Sequence, residues 1–298
     1  MTDRSVLRVA VLGPGGIGGL LAGLLARAGH RVVCLAGEES VRALRQSGVS
    51  VRSGVFGDFS AAVDADTELR EPVDVCLVCV KHTSLDAALR RVPADVLGDA
   101  LLVPFLNGVE HPAMLRAHHR DDLVAPGVIR VESTRVAPGV IEHGSPFCEV
   151  DLTGDRVARE RLEALGEVLR ASGPVTRVLD DEVGVLWAKM SFLAPFALLT
   201  TRYALPLGDV RTRHRDELVA LVEETAAVSR ACGGPGDPAQ ALARYDAFPA
   251  GTKSSMQRDA EAGRPLELDA IGGALLRAAE RHGISVPVAT RVVAELGS

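Results

Sequence analysis

Only three of the 33 basic residues in this 298-residue chain are lysines: Lys81, Lys189 and Lys253. Asn107 is its one asparagine and Trp187 its one tryptophan. Such scarcity suggests that these residues sit where arginine, aspartate or serine would not serve. Unlike arginine, lysine carries a compact ammonium that can give up or share a proton. Lys189 stands in Trp187-Ala-Lys-Met on a long apolar run of helical character, where a charge is costly unless paired or functional. Glu267, flanked by leucines in Pro265-Leu-Glu-Leu-Asp269, offers a carboxylate that could pair with it. A surface ion pair of little worth is the competing reading. Thr252-Lys-Ser-Ser255 opens a further helix with hydroxyls that either cap it or face a ligand.

The second chemical signal is Gly13-Pro-Gly15-Gly16-Ile17-Gly18, a G-x-G-x-x-G. It follows the apolar run Leu7–Leu12 and precedes Leu20, Leu21, Leu24 and Leu25 at helical spacing. Val32–Ala36 then reads as a second strand. Strand, glycine turn, helix and strand make up the context of a dinucleotide fingerprint. Gly13 allows the tight turn, Gly15 lets backbone approach a pyrophosphate, and Gly18 lets helix pack on strand. The helix start presents free N–H groups and a positive dipole end to phosphates. A glycine-rich turn without a ligand is the alternative.

These residues need elements to hold them. Val73–Val80 reads as a buried strand of the parallel-sheet kind, ending at Lys81. Ala100–Leu106 reads as the next strand and delivers Asn107-Gly108 to the same carboxyl edge, where open α/β sheets bind ligands. Ser40–Gln46 and Leu85–Val92 read as helices, and Val49–Val55 as an edge strand. Leu123–Val150 alternates short strands with turns, as a β-meander extending the sheet would. A helix over Asp155–Ser172 and a last strand over Val175–Leu179 follow, and past Asp180 the pattern is helical. The expected fold is α/β: a Rossmann dinucleotide-binding domain over 1–180, then an all-helical substrate and catalytic domain over 181–298.

Composition narrows the class. With 47% apolar and 24% charged residues the chain reads as a soluble globular protein. A net charge of −6 argues against nucleic acid or an anionic membrane as partner. No apolar run is expected to approach the length of a membrane span, and the opening MTDRSVLRV lacks the apolar core of a signal peptide. Cys76 and Cys79 form a C-x-x-C, but inside an apolar run, which reads as buried strand rather than metal or redox motif. A cytoplasmic protein with reduced thiols and no metal is expected.

Taken together, the G-x-G-x-x-G, strand-end Lys81, Asn107-Gly108, Trp-x-Lys189, Ser-Ser-Met-x-x-Asp and Gly-Arg-x-x-Glu267-x-Asp269 resemble the ketopantoate reductase (2-dehydropantoate 2-reductase) family, in order and over essentially the whole chain. The resemblance implies an active site in a cleft between the two domains, NADPH as hydride donor and a small-molecule 2-oxo acid as acceptor, in pantothenate biosynthesis. It makes Lys189 the general acid and Glu267 the acid that holds it and contacts substrate. Asn107 would orient substrate and nicotinamide, and Ser255 would bind the substrate carboxylate. Lys81 joins Gly13, Gly15, Gly16, Ile17, Gly18 and Gly37 as the cofactor-binding set. A monomer or homodimer is expected.

The sequence also departs from the family pattern. The family places asparagines four and eight residues after its lysine; Leu193 and Ala197 stand there and would line the same pocket. Its threonine before the acid is Leu266, and its downstream Asn-Gly is Gly272-Gly273. Its arginine for the 2′-phosphate aligns with Gly37, followed by Glu38-Glu39, which would favour the ribose hydroxyls of NAD. Arg42 or Arg45 could still serve a 2′-phosphate. Ketopantoate is the default substrate, and a more apolar keto compound is its rival. A non-catalytic dinucleotide-binding protein and a helical-tailed 3-hydroxy acid dehydrogenase are further readings. Retention of Lys189 and Glu267 speaks against the first, and Ser-Ser-Met with Glu267 fits the second less well.

Overall fold

The computed structural model describes residues 6–298; residues 1–5, part of the opening stretch read above for a leader, lie outside the described residues. The chain divides into two compact units. The first holds the described residues up to Leu106 together with His111–Glu182, and the second holds Asn107–Glu110 and Val183–Ser298.

The first unit runs β1 (Arg8–Leu12), α1 (Gly16–Arg27), β2 (Arg31–Leu35), α2 (Glu38–Ser47), β3 (Val49–Ser53), β4 (Phe59–Ala61), β5 (Asp64–Asp66) and β6 (Val75–Val78). It continues through α3 (Leu85–Leu89), α4 (Ala94–Leu97), β7 (Leu101–Pro104), α5 (His111–Arg116), β8 (Gly127–Arg130), β9 (Ser133–Ala137), β10 (Val140–His143), β11 (Glu149–Leu152), α6 (Arg159–Ser172) and β12 (Val175–Val178). Five strands form a sheet in the order β5-β2-β1-β6-β7, every pair parallel. This is the open α/β arrangement expected of the Rossmann domain. β6 is shorter than the apolar run predicts: Cys79 still donates to the Leu12 carbonyl of β1, but the backbone bends at Val80 before Lys81.

Over 123–150 the sheet gains only a single parallel bridge, between Leu102 of β7 and Val124; the strands proper do not extend it. Two further sheets form instead, β4-β3-β10-β9 and β12-β11-β8. β3 is accordingly no edge strand, since it pairs with β4 on one side and β10 on the other. Glycine explains how a second sheet fits against α1. A Cβ on Gly16 would lie 2.1 Å from the Ser133 carbonyl oxygen, one on Gly19 2.4 Å from Ile141 Cδ1, and one on Gly23 3.0 Å from Val51. α1 therefore carries a bare face toward β3, β9 and β10, while Leu20, Leu21, Leu24 and Leu25 are buried in the shared core. The opposite face of the parallel sheet is covered by Leu85, Ala88, Val92, Leu97 and Leu115 from the segment of α3 to α5. Burial in β2 and β6 pushes the Cys34 and Cys76 thiols up to about 12, as expected of structural cysteines.

The second unit is helical, with no strand among its described residues: α7 (Glu182–Tyr203, its first residue belonging to the first unit), α8 (Leu207–Arg213), α9 (Arg215–Ala231), α10 (Pro238–Ala247), α11 (Ser255–Glu261), α12 (Ala274–Arg281) and α13 (Pro287–Leu296). By length and composition alone α7 could cross a membrane, contrary to the expectation that no run approaches that length. The cause is burial: 61% of its most apolar window lies inside the protein, and a helix enclosed by others is apolar nearly all round. Polar groups close the helix starts. Asp237 accepts from the Ala239 and Gln240 amides of α10, and Ser254 from the Gln257 amide of α11. Glu224 on α9 takes the Val288 and Ala289 amides of α13, each at 2.9 Å.

Candidate active site

The glycine turn is tightly packed at two positions and open at a third. Gly13 has φ +84° and donates to the Leu35 carbonyl at 3.1 Å; a Cβ there would reach Val80 Cγ1 at 2.5 Å. A Cβ on Gly18 would lie 2.3 Å from the Gly13 carbonyl oxygen and 2.9 Å from Cys79 Cβ, so helix and strand touch only because both positions are bare. Gly15 differs. Its nearest neighbour would be the Gly13 oxygen at 4.0 Å, so space is open there. α1 starts at that opening with neither a side-chain cap nor an acidic residue in its first turn. Uncapped amides beside open space are what a pyrophosphate requires. Ile17 packs on the core behind the turn. Lys81 is exposed three residues past β6.

At the carboxyl ends of β2 and β5 lies a cavity of about 430 Å³ lined by Glu38, Val41, Arg42, Arg45, Asp66, Thr67 and Arg70. Three guanidiniums face two carboxylates, so the lining favours an anion. Arg45 donates to the Ala65 carbonyl at 2.8 Å and stands 3.6 Å from Asp66; Arg70 meets Asp66 at 3.1 Å. Burial pushes the Asp66 carboxyl up, but the Thr67 amide and Arg70 outweigh it and hold it below the usual carboxylate range. Arg42 has no ion-pair partner among the described residues. Gly37 caps α2 with nothing within 4 Å of an added Cβ. The sequence pointed to Arg42, Arg45 and Glu38 but missed Asp66, Thr67 and Arg70, because their strand end meets α2 only in the fold.

The remaining site residues belong to the helical unit. Asn107 Nδ2 donates to Glu267 Oε2 at 3.0 Å, joining residues 160 apart in sequence, and Glu267 is 7% exposed. Gly108 follows at φ +90°, where a Cβ would lie 2.4 Å from the Ala270 carbonyl oxygen. The segment after Glu267 is π-helical over Asp269–Gly273 before α12 begins; such bulges recur at functional sites. Lys189 is half-buried on α7. Leu193, one turn on, is half-buried too, but Ala197 is 1% exposed and packs in the core. Of the two positions expected to line a pocket, only Leu193 has surface to offer. Ser254 is the cap of α11 and receives a hydrogen bond from Thr200 Oγ1 at 2.8 Å, which leaves Ser255 exposed as the first helical residue.

The open space at Gly15 separates a binding role from a folding role. Gly15→Ala, at φ −78°, is expected to melt at the wild-type temperature. It should weaken nicotinamide dinucleotide binding by about tenfold or more in calorimetric titration, about 1.4 kcal/mol. Unchanged affinity would reduce the turn to a structural feature.

Two family models match the chain: "Ketopantoate reductase PanE/ApbA" over residues 9–148, and the C-terminal domain of the same family over 183–297. A 2-dehydropantoate 2-reductase of Caulobacter vibrioides is 30% identical over 298 residues, covering 97% of this chain and 98% of that one. The crystal structure of a PanE/ApbA family ketopantoate reductase from Ralstonia eutropha JMP134 superposes with a TM-score of 0.87 at 28% identity, covering 97% and 96% of the two chains. A D-mandelate dehydrogenase solved with NADH and anilino(oxo)acetate, at 18% identity and a TM-score of 0.88 over 98% and 97%, shares the fold. The chain belongs to the ketopantoate reductase family of oxidoreductases.

Proposed function

We propose that the protein is an NADPH-dependent 2-oxo acid reductase in which Lys189 is the general acid. The observation that carries this reading is the Asn107–Glu267 hydrogen bond, which ties two widely separated candidate site residues together in the unit that also holds Lys189 and Ser255. A bound reduced nicotinamide supplies the hydride to the carbonyl carbon. As charge grows on the carbonyl oxygen, the Lys189 ammonium stabilises it more than it stabilises the ground state, and then protonates it from Nζ. The ammonium form of Nζ carries the proton that the new alkoxide must receive. Glu267 keeps that ammonium charged and aimed, and Asn107 fixes one of its carboxylate oxygens. Ser255 takes the substrate carboxylate. The five free cysteines suit a reducing compartment such as the cytoplasm. Lys189→Ala is expected to lower kcat by about a hundredfold or more, the usual scale for general acid–base residues, with dinucleotide affinity unchanged. Near wild-type turnover would sink the assignment.

For the cofactor, the arginine-rich cavity supports NADP over NAD despite Gly37. Arg42 is the guanidinium of this cavity without an ion pair among the described residues, and Arg45 and Arg70 add positive field around it. NADPH should bind more tightly than NADH, and Arg42→Ala should weaken NADPH by about tenfold while leaving NADH untouched, a loss of about 1.4 kcal/mol. Tighter NADH binding by the wild type would reverse the preference and make Glu38 the ligand of the ribose hydroxyls.

For the substrate, ketopantoate or a close analogue is the family reaction, and a more apolar 2-oxo acid has specific support. Beyond Lys189, α7 carries Phe192, Leu193 and Phe196. Phe192 stacks on Tyr245 at 4.5 Å and meets Phe248 at 5.1 Å. A substrate hydroxyl set against Leu193 would lose water without replacement, at about 1–3 kcal/mol. An apolar tail would gain about 25 cal/mol for each Å² buried. In a panel of 2-oxo acids, kcat/KM should be higher for apolar-tailed members than for ketopantoate. Leu193→Asn should shift the ratio toward ketopantoate by about tenfold or more. Efficient reduction of ketopantoate by the wild type would refute this preference.

A further inference from the structure

Arg277 on α12 lies outside every motif of the sequence, yet it grips both segments that bring Asn107 and Glu267 together. Its Nη2 donates to Glu110 Oε2 at 2.7 Å and its Nε stands 3.2 Å from both Glu110 oxygens. Its Nη1 donates to Asp269 Oδ1 at 2.7 Å, and its Nη2 is 3.3 Å from the Asp269 carbonyl oxygen. Glu110 lies three residues after Asn107, and Asp269 two residues after Glu267. One guanidinium thus clamps the loop that carries the amide to the segment that carries the acid. Two glycines make room. Gly108 brings the loop backbone against Ala270, and a Cβ on Gly273 would lie 2.4 Å from Asp269 Oδ1 and 3.0 Å from Arg277 Nη1.

We propose that Arg277 is a positioning residue that sets Asn107 against Glu267, acting through Glu110 and Asp269. Its planar fork suits this task, since it presents several donors in fixed directions and can serve two carboxylates at once. The hydrogen bond from Arg277, with Arg281 3.5 Å away as a second partner, holds the Glu110 carboxyl below the usual glutamate range, so that pair is ionised at neutral pH. The Glu110 arm is the better shielded: its side chain is 26% exposed, against 71% for Asp269. Exposed pairs contribute little, so Glu110 carries more of the effect than Asp269. The catalytic part of this role rests on the proposed function; the geometric part does not.

Asn107 is the only asparagine in the chain. Labelling with [15N]asparagine therefore yields one side-chain NH2 signal pair in an NMR spectrum of the full-length protein, a direct probe of its hydrogen bond to Glu267. Arg277→Met should move that pair, Glu110→Gln should move it in the same direction by less, Asp269→Asn least, and Arg277→Lys should restore it part way. In activity, Arg277→Met should lower kcat/KM by about tenfold in the wild type but less than about twofold in an Asn107→Ala background, the non-additivity expected when one residue acts through another. A purely structural role would lower the melting temperature, leave the Asn107 signals in place and add fully to Asn107→Ala; that outcome overturns the inference. If Arg277→Met does not fold, Glu110→Gln carries the same two tests. Displaced signals in a protein that reduces no 2-oxo acid would count against the proposed function and support the inference.

Discussion

Much of the first unit depends on the close approach of α1 to its neighbours. An α-helix with side chains all round stands well off an adjacent sheet, but this one gives up Cβ atoms on two faces. Gly18 meets the Gly13 carbonyl, and Gly16, Gly19 and Gly23 meet β9, β10 and β3. The cost is conformational entropy and helix propensity, about 1 kcal/mol per glycine. The return is a helix held between two sheets, with its start fixed at the turn and its amides directed at open space. Ser133 Oγ, bonded to the Gly16 carbonyl at 2.8 Å, ties the outer strand β9 to that same turn.

The helical unit solves a related problem with different means. A hydrogen bond between Asn107 and Glu267 has to be held across a loop of four residues and a π-helical bulge. Side-chain amides and carboxylates rotate freely unless their backbones are pinned, and an error of about 1 Å is costly in catalysis. Here the backbones are pinned by van der Waals contact at Gly108 and by a forked ion pair at Arg277. The glycine pair at 272 and 273 serves packing. Gly272 faces Val293 and Leu198, and Gly273 faces the Asp269–Arg277 pair. The loss of polarity read in the sequence falls at Gly272, where the bare position lets Val293 and Leu198 close in.

The sequence disclosed what depends on local pattern. The parallel strands, the fingerprint turn, the helical second half and the candidate residues Lys189, Asn107 and Glu267 were legible because periodicity and residue scarcity are written along the chain. Strand partnership was not. β8 to β11 alternate as a meander does, but β9 and β10 join β3 in a sheet against the bare face of α1, and β8 and β11 join β12 in another, partnerships that no local pattern announces. Ala197 was expected to line a pocket because it shares a helix face with Lys189 at ideal spacing. Helical spacing does not reveal which neighbour covers a face, and this position is covered by core. Arg277, Glu110, Asp66 and Arg70 escaped notice because arginine, aspartate and glutamate are abundant here and their partners are remote.

The buried C-x-x-C bears on how this protein tolerates its own chemistry. Cys79 lies against Gly18, beside the turn that would hold a redox cofactor, and Cys76 is two residues into β6. A dithiol so placed could in principle exchange electrons with its surroundings. The reactive species, however, is the thiolate. Burial pushes the Cys34 and Cys76 thiols up to about 12 and raises the Cys79 thiol as well, so the thiolate is disfavoured at all three. Burial thus disfavours thiolate chemistry along this strand, which keeps the packing value of cysteine.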